Sequence, residues 1–260
     1  MEPSRAGSKR ETLLLVCLTL FVAFFVTANF LGAKLWEFTL FGLRPRHLGL
    51  EQETFVATAG ILAFPLTFIL TDIVNEYFGR RVVRAFTFLA IAANLVLQPI
   101  VLAAAAAPTV SFTPGVDAQT AHAAYRLAFG TTWTITFASL VAFAVAQFVD
   151  VGTFSWLRRK TGAKAIWLRA QGSTVVSQLV DTLIVIYVAF YLLPALLGDP
   201  HMGAADAGRI ALTNYVYKFA LAVVLTPLLY GMRGLLVGWL GADEAARLAR
   251  EAHPGGPGSS

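Results

Sequence analysis

The chain has 260 residues, 57% hydrophobic and only 13% charged, with a formal net charge of +5. Ordinary soluble domains carry about 25% charged residues, so a mean hydropathy of +0.67 excludes a soluble globule and leaves no room for a separate soluble domain. The basic excess does not argue for nucleic acid, because Lys and Arg cluster beside apolar runs, where they set membrane topology.

Six apolar runs are separable, at 13–33, 54–78, 82–107, 127–156, 173–197 and 214–232. Each has the length of a bilayer-spanning helix, about 20 residues. Arg5, Lys9 and Arg10 precede the first run, which is too long for a cleavable leader and reads as an uncleaved span following a cytoplasmic segment 1–12. Cys17 lies inside it and reads as a small hydrophobe. The connector 37–53, with Arg44-Pro45-Arg46, suggests a short external hairpin. The second and third runs are joined only by Gly79-Arg80-Arg81, so they form an antiparallel helical pair. Pro108, Pro114 and Gly115 stop helices in the connector 108–126. After the 13–232 membrane domain, residues 233–252 read as a cytoplasmic amphipathic helix and 253–260 as a disordered tail.

Orientation follows from the basic residues. With both ends cytoplasmic, fourteen Lys and Arg lie inside and six outside. Trp36, Trp133 and Trp239 read as interface anchors. The expected architecture is all-α, with six transmembrane helices. Short correspondences (Ala28-Asn29-Phe30 with Ala146-Gln147-Phe148, Thr71-Asp72 with Asp181-Thr182) suggest two inverted three-helix repeats.

The candidate site residues interrupt these apolar runs. Asp72, Asn75 and Glu76 fall at i, i+3 and i+4, on one side of the second helix. Ser173, Ser177 and Asp181 form an i, i+4, i+8 stripe with Gln178 beside it, and Gln147 and Asp150 are again i, i+3. Such a carboxylate costs about 2.5–3.5 kcal/mol on insertion scales, so it normally faces a partner or a wet cavity. These faces are expected to look into the bundle, with Asp72 and Asp181 converging on one hydrated pocket. The bland alternative is interhelical hydrogen bonding. For Glu76 it is an ion pair with Arg80; for Lys218 it is snorkelling, against pairing with a buried Asp. Asn29 lines a site or caps a helix end. Pro65 and Pro227 are expected to bend their helices and free backbone carbonyls.

Enzyme chemistry finds no footing. The four histidines fall in connectors or the tail without metal-ligand spacing, and no hydrolase or nucleotide-binding motif is present. No cofactor or metal is expected.

Pro65–Arg81 (PLTFILTDIVNEYFGRR), Ala146–Val151, Ser177–Thr182 and Asn214–Phe219 occur in this order on four spans. In these motifs the chain resembles the queuosine precursor transporter family, within the vitamin uptake transporter group, from the first span to the sixth. The resemblance implies an inner-membrane protein that imports cyano- or aminomethyl-7-deazaguanine for tRNA modification. The residues are suited to such a ligand: one carboxylate accepts both N1–H and the exocyclic amine of a guanine-type edge. Asn29, Gln147 or Gln178 suit its acceptors, and Phe68, Phe148 or Tyr215 suit its ring. The expected partners are thus this small molecule and the lipid bilayer; a homodimer fits so small a bundle, although no motif demands one. The competing reading is a substrate-binding subunit of an ATP-driven vitamin importer.

Overall fold

The computed structural model describes residues 5–39, 42, 44–48, 53–111, 113–161 and 166–252; the expected tail 253–260 lies outside them. The chain is mostly helical. Among the described residues, five helical stretches are long and apolar enough to cross a membrane: Lys9–Leu31, Ala59–Phe78, Arg80–Ala106, Ala118–Leu157 and Gly172–Leu197. The protein is therefore a multi-pass membrane protein.

The chain forms two compact units. The first comprises 1–28, 60–97 and 218–260, and the second 29–59 and 98–217. Helices α1 (Arg5–Leu31), α3 (Arg80–Ala106) and α8 (Ala204–Leu240) contribute to both. Helix α8 runs unbroken for 37 residues, about 55 Å at 1.5 Å per residue. It contains the expected sixth apolar run.

The first unit is built on α2 (Phe64–Phe78). Ile69, Leu70, Ile73, Val74 and Tyr77 are buried along one stripe, the spacing that keeps side chains on one helical face. They pack with Leu13, Cys17 and Phe21 of α1, Phe86 and Ala90 of α3, and Leu225 of α8. Helix α9 (Ala242–Ala252) closes this core with Ala245 and Leu248. Residues 233–240, expected in the amphipathic helix, continue α8 instead; the break comes at Gly241, at φ +96°.

Two expectations along α2 need correction. The run 54–78 is not one helix: it holds a strand, a 3-10 segment (Ala59–Ala63) and only then a 15-residue α-helix. Pro65 does not bend this helix but begins it, since its missing N–H costs nothing in the first turn. Pro227 does lie inside a helix, as does Pro99 of α3. Between α2 and α3, the N–H of Gly79 donates to the carbonyls of Val74 and Asn75, both at 3.1 Å. At φ +81°, Gly79 adopts a backbone that other residues enter only with strain.

The second unit departs from an all-α plan. Strands β1 (Leu35–Phe38) and β2 (Phe55–Thr58) pair antiparallel, Leu35 opposite Thr58. They flank the connector expected to form a hairpin. Glu53 bridges Arg44 at 2.9 Å and Arg46 at 3.1 Å. The hydrogen bond from Arg44 holds the Glu53 carboxyl below the usual range. The connector expected to lack helix carries α4 (Ala118–Phe129), because Asp117 caps it by accepting from the Thr120 N–H at 2.8 Å. Helix α5 (Thr132–Thr161) packs along α6 (Ile166–Tyr187). A π-helical turn (Val188–Leu192) and a short α7 (Leu193–Leu197) follow.

Two outcomes test these features. A Cβ on Gly79 would meet the Ala252 carbonyl oxygen at 2.9 Å, so Gly79→Ala is expected to destabilise the detergent-solubilised protein by about 1–3 kcal/mol, read as a lower melting temperature. Hydrogen bonds from Thr120 hold the Asp117 carboxyl below its ordinary value. Its support of α4 is therefore complete above the usual carboxylate range and is lost as pH falls through the depressed value. Hydrogen exchange, corrected for intrinsic rates, should show α4 losing protection on acidification in wild type but not in Asp117→Ala, which lacks this protection at every pH.

Candidate functional site

Helical phase explains the acidic face of α2. Ile73, Val74 and Tyr77 face the core of the first unit, so Asp72, one position earlier, is exposed and Asn75 and Glu76 are half-buried. Within this unit the apolar face is the buried one, not the acidic face as expected. Glu76 does pair with an arginine, but it is not Arg80: Oε1 accepts from Arg233 Nη2 of α8 at 3.1 Å. Asp72, one turn back, makes no hydrogen bond or ion pair among the described residues.

Asp72, Glu76, Tyr77, Tyr230 and Arg233 line a groove of about 250 Å³ floored by Ile73 and Leu229. Tyr77 is 4% exposed. Its hydroxyl is buried and has no hydrogen-bond partner among the described residues. The Tyr230 ring is largely open to the outside. Such a groove offers carboxylate acceptors, an arginine donor, a spare hydroxyl and aromatic faces. Arg233 was not among the expected site residues. The signal was available: a cation directly after an apolar run is a site candidate if its helix continues, and α8 continues for about two more turns. Elsewhere in this unit, the Lys218 ammonium lies 4.8 Å from the centre of the Phe64 ring, and Phe64 packs on Phe68 at 5.5 Å.

The second unit places the other candidates. Asn29 is buried, and its side-chain carbonyl accepts from Ser139 Oγ at 2.9 Å. Ser173 and Ser177 are buried and Asp181 half-buried, so the predicted stripe lies along one side of α6. Ser177 donates to the Thr174 carbonyl at 3.1 Å, and Thr182 to that of Gln178 at 2.8 Å. Tyr215 donates to the Val175 carbonyl at 3.3 Å. On α5, Gln147 and Phe148 are exposed, Phe148 by 80%, while Asp150 is half-buried with Oδ1 unbonded among the described residues.

Several buried polar groups escaped the sequence reading. Gln98 Nε2 donates to Thr136 Oγ1 at 2.7 Å, and Thr132 Oγ1 donates to Gln98 Oε1 at 3.3 Å. Thr58 of β2 donates to Asn214 Oδ1 at 3.0 Å, while Asn214 Nδ2 donates to the Ile210 carbonyl at 2.8 Å. Gln98 and Asn214 carry no charge and have no carboxylate within one helical turn of sequence, so neither stood out beside the acidic clusters. A wider cleft of about 1930 Å³, lined in part by Lys34, His122, Arg126 and His201, holds none of the expected site residues. No cluster of three metal-ligating side chains occurs among the described residues.

Residues 58–232 match the protein family described as "Putative vitamin uptake transporter". The chain is 31% identical over 186 residues to the "Probable queuosine precursor transporter" of Bacillus subtilis, covering 69% of this chain and 73% of that protein. It is 28% identical over 178 residues to the "Queuosine precursor transporter" of Escherichia coli, covering 68% and 73%. Over 224 residues it is 25% identical to the "Probable queuosine precursor transporter" of Haemophilus influenzae, covering 84% and 85%. No solved structure matches the chain significantly.

The Thr58–Asn214 bond has a direct test. Asn214 is 3% exposed, and Asn214→Ala strands the Thr58 hydroxyl, so a loss of about 1–3 kcal/mol is expected. Thermal denaturation in detergent measures it, and Thr58→Val in the Asn214→Ala background should cost little more.

Proposed function

Because the chain belongs to the queuosine precursor transporter family, within the vitamin uptake transporter group, we propose that it is a secondary carrier importing cyano- and aminomethyl-7-deazaguanine. It acts in the inner membrane with both ends cytoplasmic, as the fourteen-to-six bias of basic residues supports. Its six spans are α1, α2 with its preceding 3-10 segment, α3, α5, α6 with its π turn, and the 214–232 part of α8, as two inverted three-helix repeats.

The observation that carries this reading is the groove at α2, where the family-like motif presents Asp72 and Glu76 beside two tyrosine rings. A guanine-type ring offers adjacent N–H donors, and a carboxylate accepts two of them at once. Asp181, half-buried on the Ser173–Ser177 stripe, is the second unit's own candidate acceptor for such donors. Asp72 neutralises the aminomethyl group, which is protonated near neutral pH as a lysine amine is. Asn29, Gln147, Gln178 and Tyr215 are secondary candidates for ring and amide contacts.

The reading predicts that Asp72→Asn and Asp181→Asn each lower initial uptake of labelled aminomethyl-deazaguanine by about tenfold or more, the scale of one charge-assisted hydrogen bond. Cells unable to make the precursor provide the assay, with membrane-inserted protein quantified alongside. Normal uptake by both variants would remove these carboxylates from the mechanism. The relatives' names do not favour the ATP-driven importer subunit, and the purified protein alone is expected to move substrate into liposomes.

A further inference from the structure

The Glu76–Arg233 bridge has a consequence for which ligand charge the groove accepts. Two carboxylates and one guanidinium line it, and the guanidinium is committed to Glu76 at 3.1 Å. Asp72 lines the same groove with no hydrogen bond or ion pair among the described residues. One negative charge is thus left uncompensated. A carboxylate with no partner of its own is stabilised by a cation placed beside it. The Tyr77 hydroxyl, buried beside the groove, has no hydrogen-bond partner among the described residues.

We propose that Arg233 is a specificity-determining residue which, by neutralising Glu76, sets the groove to accept a planar heterocycle bearing one positive charge. Were both carboxylates unpaired, a dication or a proton would be needed; were both paired, a neutral ligand would fit best. With one paired, the protonated aminomethyl compound satisfies the groove and the neutral cyano compound does not. This inference rests on the deazaguanine reading and deepens it, turning a shared substrate class into an order of preference.

A charge series tests it, comparing KM for uptake of aminomethyl- and cyano-deazaguanine in wild type, Glu76→Gln, Arg233→Gln and Glu76→Gln/Arg233→Gln. Wild type is expected to favour the aminomethyl compound. Glu76→Gln, with the groove neutral, should lose about tenfold of that preference, and Arg233→Gln, with one more negative charge, should gain about tenfold, the scale of a partly screened charge pair. The double variant restores the original charge and should return close to the wild-type ratio. Lower expression or partial misfolding scales both ligands alike, so the ratio reads charge alone. A ratio unchanged across the series, or a wild type that takes the cyano compound at least as well, overturns the inference while leaving the transport reading intact. Uptake of neither compound by wild type would instead overturn the transport reading itself.

Discussion

Little water compensates a charge at the membrane, and at the end of α2 the first unit pairs one of its two neighbouring carboxylates, Glu76, with Arg233. The bridge fixes more than two charges. It ties α2 to α8 at the end of the α2 core stripe, beside Tyr77, and it decides which carboxylate remains available to a ligand. The groove's charge depends on this unequal treatment of two carboxylates one helical turn apart. An arginine suits the task better than a lysine, because its guanidinium stays charged and presents several donors in a fixed plane.

The same lack of water governs the backbone and the hydroxyls. Thr67, Thr71, Thr87, Thr136, Ser177 and Thr182 each donate to a carbonyl three or four residues earlier in their own helix. Such bonds satisfy the side chain locally and make it tolerable in an apolar setting. Amides have two polar ends and need partners from elsewhere, which is why Gln98, Asn29 and Asn214 bond to other elements. The small hydroxyl residues can therefore be scattered through the spans, whereas Gln98, Asn29 and Asn214 mark places where elements are held together.

Much of this was legible in the sequence. The apolar runs located the helices, Gly79 located the tight turn between α2 and α3, and the spacing of Asp72 and Glu76 located one side of the groove. Hydropathy could not show that residues 55–63 form a strand and a 3-10 segment, since a strand, a 3-10 turn and an α-helix share that apolar composition. It also ended the last run at 232, one residue short of Arg233, because charge and glycine content rise there although α8 continues. The connector helix α4 was hidden by Pro108, Pro114 and Gly115, which break the chain before Asp117 restarts it. Asp72 belongs to the first unit and Asp181 to the second, a division that no pattern of apolar runs displays.

The π-helical turn at Val188–Leu192 changes how the span it interrupts must be read. A π turn takes in an extra residue per turn, so side chains beyond it are rotated out of step with those before it. Ser173, Ser177 and Asp181 precede the turn and share an azimuth; Leu193 to Leu197 do not inherit that alignment from simple counting. A cysteine-accessibility scan phased from Ser173 would therefore misplace positions past Leu192 by about 100° around the helix unless its period were reset there.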